Sequence, residues 1–487
     1  MEDLSTILRG FPPQQPEPDG KKLDTLARQH ISSLVGAPLA AIGHIETNPA
    51  AVLALVNPAE NSIGHLFVLE KILGKWGGLS AGDQAATRDS IRKFMLEFSA
   101  WQVRFVGRNL LSLFDVLNTI AMFPSMETTE LLAKAISRID PSGSMFTSTH
   151  FMLAKFAFDN DSAEPALPII NRPVTAFPDM EGPKETAPLS SQDIPPSSFI
   201  SKTTGLTQDV TTATVLEYYH YCARIYISRR EWQNALKSLE RIITHPTKDR
   251  LISKLMLDGY RKWTLVGLLC NGCKPTMPSC VSGPTKNLFS TLAPRYGSLA
   301  GLYGSDDAIT IKEDIEKNMA SWREDGNEAL INEVLIAYQP WQILNLRLVY
   351  RQVPVSQVQQ ETTSLVTGKQ LESPEEVISL VQSMIDSGML KGEIKPGPDA
   401  ENTFILFVDI EETLTEVEFA REVARSCRSV ELLGNDYQIT NERLSGNKDY
   451  IKHIAREQGR SKPDGSDGGF DVTVEEEDLM TGILSHA

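Results

Sequence analysis

Three thiols, Cys270, Cys273 and Cys280, stand in a C-x2-C-x6-C pattern. A fourth, Cys222, lies in the stretch "YYHYCARIYISRREWQNALKSLERIITHP", which also holds His220, His245 and the Arg229–Arg230 pair. Thiols so spaced suggest zinc or redox chemistry. A structural zinc site needs four ligands, and this pattern offers three, with His245 far back in the sequence. A redox C-x-x-C expects a strand–helix setting, whereas Cys270 ends an apolar helical run, so a buried free thiol is expected. Among the eight histidines no two are two apart, so a metal-binding H-x-H is missing. There is no H-E-x-x-H, no G-x-S-x-G elbow and no Walker-type phosphate loop. "GNDYQITNERLSGNKD" lacks calcium-loop spacing. The carboxylates of "EEVISL" and "IEETLTEVEF" read as solvated helix faces. No catalytic residue, metal site or cofactor is expected.

The same stretch reads better as a positioning element. In a two-helix antiparallel repeat, small residues belong where the helices cross closely and large ones where they separate. Tyr219, Ala223, Tyr226, Ala235, Leu239, Ile242 and Pro246 follow the order of a tetratricopeptide repeat, with Pro246 one residue early. "SRRE" supplies the turn. "THFMLAKFAFDNDSAEPALPII" is a weaker copy, with His150, Ala154 and Phe158 on its first helix and "AEPALPII" opening its second.

The chain has 487 residues, 41% hydrophobic and 23% charged, with a net charge of −16. That length permits two or three domains. The acidic balance disfavours nucleic acid and anionic membrane surfaces as partners. No apolar run approaches the roughly 18 residues that span a bilayer. Few, unevenly spaced cysteines and a start, "MEDLSTILRG", unlike a secretory leader imply a nuclear or cytoplasmic home.

Composition divides the chain. Residues 1–22, with "GFPPQQPEPDGKK", read as a disordered N-terminus, and 23–159 as helical repeats. Residues 160–210 are rich in Pro, Ser and Thr and read as a disordered insertion. Repeats resume over 211–339, a winged helix occupies 340–410, and 411–458 form a C-terminal helix. Residues 459–487 are an acidic, Gly-rich tail expected to be disordered.

Within 340–410 one helix runs up to a break at Pro354 and a second follows it. The third has Ser373 as N-cap, Pro374 at its first position, Glu376 completing a capping box and Gly388 as its stop. "MLKGEI" and "TFILFVDI" make a hairpin. From Glu372 to Glu393 five acids face one Lys391, a poor surface for a DNA groove. The last strand is apolar on both faces, and its free edge is expected to accept a neighbour's strand, with Phe404, Leu406 and Val408 as partner-binding residues. On the C-terminal helix, Val417, Ala420, Ala424 and Cys427 lie three and four apart. They form a narrow, mostly small-residue stripe suited to a bundle of several chains.

Helical repeats running into an acidic winged helix and then a terminal helix resemble the PCI-domain family. The residues are most similar to the third-subunit family of the COP-nine signalosome. "EYYHYCARIYISRREWQNALKSLERIITHP", "KLMLDGYRKWTLVGLL", "EPALPII" and the helices flanking Pro354 carry the resemblance over about 145–410. The 160–210 insertion and "CNGCKPTMPSC" depart from what that family leads one to expect. The resemblance implies a mainly α fold: a tetratricopeptide-like solenoid, a winged-helix PCI domain and a C-terminal helix. It implies a non-catalytic scaffold in an assembly that removes Nedd8 from cullins. Other signalosome subunits would be its partners, the first and eighth as neighbours, with cullin-RING ligases engaged indirectly. The rival readings are a proteasome-lid or initiation-factor PCI subunit and, less favoured, a thiol or zinc enzyme on Cys270–Cys280.

Overall fold

A computed structural model describes residues 2–12, 19–178, 188–192, 194–246, 251–304, 307–397, 399, 403–408, 415–446, 450–452 and 454–455. The chain divides into two units, Met1–Asp409 and Ile410–Ala487.

The first unit opens with α1 (Glu2–Leu8), α2 (Gly20–Val35), α3 (Leu39–Thr47), α4 (Pro49–Leu55), α5 (Ser62–Leu73) and α6 (Ala81–Glu97). It continues through α7 (Ala100–Val103), α8 (Gly107–Thr119), α9 (Ser125–Ile139), α10 (Ser148–Asp159) and the short α11 (Leu167–Ile170). Then come α12 (Thr212–Ser228), α13 (Trp232–Ile243), α14 (Lys254–Asn271), α15 (Gly283–Leu292), α16 (Pro294–Leu302), α17 (Ala308–Lys317), α18 (Met319–Glu324) and α19 (Glu328–Leu346). Many starts are set chemically. The hydroxyls of Ser80, Thr211, Ser253 and Ser282 each accept the backbone N–H three residues on, satisfying a donor the helix cannot pair itself.

The α12–α13 pair follows the repeat pattern. Ala223, Ala235, Leu239 and Ile242 are fully buried, and Arg230 takes the left-handed conformation in the turn, at φ 58°. At the next crossing, a Cβ on Gly259 of α14 would lie 2.7 Å from Cγ2 of Ile242, so the small residue sets how closely the helices approach. The weaker copy differs. Its first helix is α10, with His150 and Ala154 buried, but its second is only a 3-10 turn, Glu164–Ala166, followed by α11. Pro165 and Pro168 shorten it.

Two segments expected to be unpacked carry core residues. In 1–22, Leu4, Leu8 and Phe11 are buried, and Gly64 of α5 lies against the carbonyl of Leu8. In 160–210, Ile169, Ile170, Ala176, Phe199, Ile200 and Leu206 are buried. Distant side chains satisfy the backbone there. Asp24 accepts from the amides of Leu189 (2.8 Å) and Ser190 (3.0 Å). Arg104 donates to the carbonyls of Leu189 and Ser191, both at 2.8 Å, and its guanidinium stacks on Phe199 at 3.9 Å. Residues 179–187 and 193 of that segment, and the tail 459–487, lie outside the described residues.

Removing the Arg104 side chain strands two carbonyls and the Phe199 ring together. Arg104→Ala is expected to cost about 2–4 kcal/mol and to make residues 188–206 the first site of limited proteolysis. A variant with the wild-type melting temperature and cleavage pattern would show that the segment is held by its apolar contacts alone.

The unit closes with β1 (Gln352–Pro354), α20 (Val355–Glu361), α21 (Pro374–Asp386), β2 (Gly392–Lys395) and β3 (Phe404–Phe407). The antiparallel sheet has the order β1-β3-β2, pairing Val353 with Ile405 and Ile394 with Ile405. The Ser373 hydroxyl accepts from the amide of Glu376, as expected of an N-cap. The Glu376 carboxylate reaches back one residue further than a capping box requires, to the amide of Glu372 at 3.2 Å. Gly388, at φ 74°, ends the helix. Ile343, Val353, Val358, Val377, Val381 and Ile405 form a core distinct from the one that runs through the repeats.

In the second unit, α22 (Glu416–Ser445) starts with a full capping box between Thr415 and Glu418.

Candidate assembly surfaces

The residues that suggested chemistry resolve into packing. Cys222 is buried on α12, and burial pushes its thiol up to about 12, so it stays protonated. His220 lies 3.5 Å from Asp258 of α14, whose carboxylate also holds Lys262 at 2.5 Å. Burial pulls this histidine down to about 4 against the pull of Asp258, so at neutral pH it is an uncharged, packed ring. Burial lowers His245 as well. Cys270 is half-buried and pushed up to about 11, again by burial, while Cys273 and Cys280 are exposed. Gly272 follows Cys270 at φ 64°, with the ring of Trp341 packed where a side chain would stand. Among the described residues no group of three His, Cys, Asp or Glu is placed to hold a metal ion, and no helix is long and apolar enough to cross a membrane.

The winged helix presents two surfaces. α21 buries Val377, Val381 and Met384 and carries Glu375, Glu376 and Asp386 without a Lys or Arg, a charge pattern adverse to phosphate. The sheet corrects the expected strand-acceptor edge. β3 is the central strand, hydrogen-bonded by β1 on one side and β2 on the other, so it offers no free edge. Phe404 pairs with Pro354 and Lys395, and Leu406 with Gln352 and Glu393. Val408, just beyond, donates its amide to the carbonyl of Lys391 at 3.1 Å. Of the three, Phe404 is exposed, while Leu406 and Val408 are half-buried. A strand added to this sheet would meet β1 or β2, and β1 is blunted by Pro354.

On α22, Val417, Ala420, Ala424 and Cys427 are all exposed on one stripe. A second, larger set escaped the sequence reading. Phe419, Val423, Val430, Leu433 and Tyr437 are 44% to 73% exposed, and their spacing follows the a and d positions of a heptad. The two stripes adjoin around the helix. Arg425 pairs with Glu422 at 2.8 Å among the flanking charges. Heptad spacing was the available signal, but it emerges only beyond the first turns of the helix.

Stacked helix pairs running into a small winged helix place the chain among the helical-repeat proteins. A family model for the N-terminal helical repeats of COP9 signalosome complex subunit 3 matches residues 41–283. The COP9 signalosome complex subunit 3 of Neurospora crassa is 32% identical over 499 residues, covering 100% of both chains. That of Emericella nidulans is 25% identical over 366 residues, covering 73% of this chain and 72% of its own length. The chain belongs to the COP9 signalosome subunit 3 family. The family match begins well before residue 145 and runs through the 160–210 segment, in keeping with the core residues found there.

Proposed function

We propose that this signalosome subunit is a non-catalytic scaffold of an assembly that removes Nedd8 from cullins, and so acts on cullin-RING ligases only indirectly. The observation that carries the reading is similarity along the whole length of a COP9 signalosome subunit 3. The exposed apolar stripes of α22 support it, because such a surface needs covering in an assembly. Phe404, Leu406 and Val408 would contribute to partner contact through the face of the sheet. Val417, Ala420, Ala424 and Cys427 would do so together with the heptad seam. The first and eighth subunits are the expected neighbours, and nucleus and cytoplasm the expected locations. No nucleic acid, membrane or cofactor enters the reading.

The test has two arms. A tagged full-length chain purified from its own cells is expected to bring down the other signalosome subunits. Stable recovery of proteasome-lid or initiation-factor subunits instead would overturn the assignment. The isolated chain, incubated with Nedd8-modified cullin with and without zinc, is expected to release no Nedd8. Turnover by the chain alone would sink the scaffold reading.

A further inference from the structure

Two adjoining hollows lie between the 170–178 segment and the α12–α13 pair, away from the winged helix. The first, of about 290 Å³, is lined by Arg172, Lys237 and Arg241 together with Tyr218 and Cys222. The second, of about 470 Å³, is mostly apolar, with Val174, Phe177, Pro178, Val210 and Val215 in its wall. Val174, Tyr219 and Arg241 line both, so the hollows adjoin.

Their charge is unusual for this molecule. The chain carries a net −16, yet among the described residues no Asp or Glu lines either hollow. Lys237 and Arg241 stand one turn apart on α13, an arrangement of like charges that disfavours the helix unless something answers it. Glu231, at the head of that helix, is already engaged by Arg229 at 2.8 Å and Asn234 at 2.9 Å. Arg172 comes from the opposite wall, with one nitrogen donating to the carbonyl of Pro141 at 3.1 Å and its stem packed over Gly143. At the floor, Tyr218 is 1% exposed, with its hydroxyl against the Cys222 thiol. Asn171 on the rim has its oxygen taken by the Tyr226 hydroxyl at 2.6 Å, which leaves the N–H groups of its amide as its donors.

We propose that the paired hollows bind a phosphate monoester. Its phosphate sits among Arg172, Lys237 and Arg241, and its apolar portion rests against Val174, Phe177 and Val215. Guanidinium and ammonium groups lining one hollow, with no carboxylate among its described residues, suit a phosphate better than a lone carboxylate. The adjoining apolar wall selects an ester over the free ion.

Calorimetric titration of the full chain in phosphate-free buffer tests this, with phenyl phosphate as the probe and inorganic phosphate and phenol as its two halves. Phenyl phosphate is expected to bind at least about tenfold more tightly than either half, and Lys237→Ala with Arg241→Ala to weaken it about tenfold or more. Both residues are exposed, so the helix should survive. Lys237→Arg, which keeps the charge, should retain binding, as checked beside circular dichroism. A capped Leu-phosphoserine-Leu peptide separates sources. Tighter binding than phenyl phosphate assigns a phosphorylated side chain, and weaker binding a small metabolite. Equal affinity for phenol and phenyl phosphate, or an unchanged affinity in the folded double variant, would overturn the proposal.

Discussion

Val423→Asp combined with Val430→Asp is expected to release the chain from its complex without disturbing its own helices. Both valines are exposed on α22, at 44% and 68%, so a carboxylate there meets water in the free chain. In a bundle the same two positions would be seam residues, packed as knobs into a partner's holes. An unpaired charge buried at such a contact costs about 2–4 kcal/mol per residue, so the pair should weaken association by a factor of about a thousand or more. Val417→Asp with Ala424→Asp tests the adjoining small-residue stripe in the same way. If both pairs release the chain, the helix is surrounded in the assembly; if only the first does, the seam alone makes the contact. The measurement pairs circular dichroism of each purified variant with size-exclusion chromatography of the reconstituted assembly. A seam variant that still co-elutes with every partner rejects the bundle role. One that loses helicity throughout shows that the stripe is needed by the chain itself.

What could be read in advance follows the range of the interactions concerned. The α12–α13 pair was legible because its information is local: small residues at the crossing, aromatics beside them and a four-residue turn, all within thirty positions of sequence. The cap of α21 was legible for the same reason. The packing of residues 1–22 and 160–210 was not. Their apolar residues are sparse, and composition alone says such a segment cannot fold by itself. It does not have to, because Asp24, Arg104 and Gly107 receive it from far away in the chain. β1 was missed because three residues ending in proline carry almost no strand signal. The sheet places it by pairing with Ile405 and its neighbours, about fifty residues on. That one omission turned a central strand into an expected edge. On α22 the first turns display the small stripe, whereas the heptad seam shows only when Phe419 is followed as far as Tyr437.

Because the winged helix has its own hydrophobic core, it should be possible to unfold it alone. Val381→Asp is the change to make. Val381 is fully buried on α21 in the cluster with Val353, Val377 and Ile405, whose aliphatic side chains offer a carboxylate no partner. The cost should exceed about 4 kcal/mol, at the severe end for a single substitution, and a small core can offset little of it. The repeats keep a separate cluster, from Leu4 through Tyr338 and Leu365, that does not include Val381. The variant should therefore lose hydrogen-exchange protection across β1–β3, α20 and α21 while α12–α14 stay protected. Val381→Ala is the milder control; it removes methyl groups, leaves no charge and should cost roughly 1–3 kcal/mol. If Val381→Asp collapses the repeats as well, the two cores fold as one cooperative body. If it leaves the sheet protected, the burial of Val381 does not hold the winged helix together.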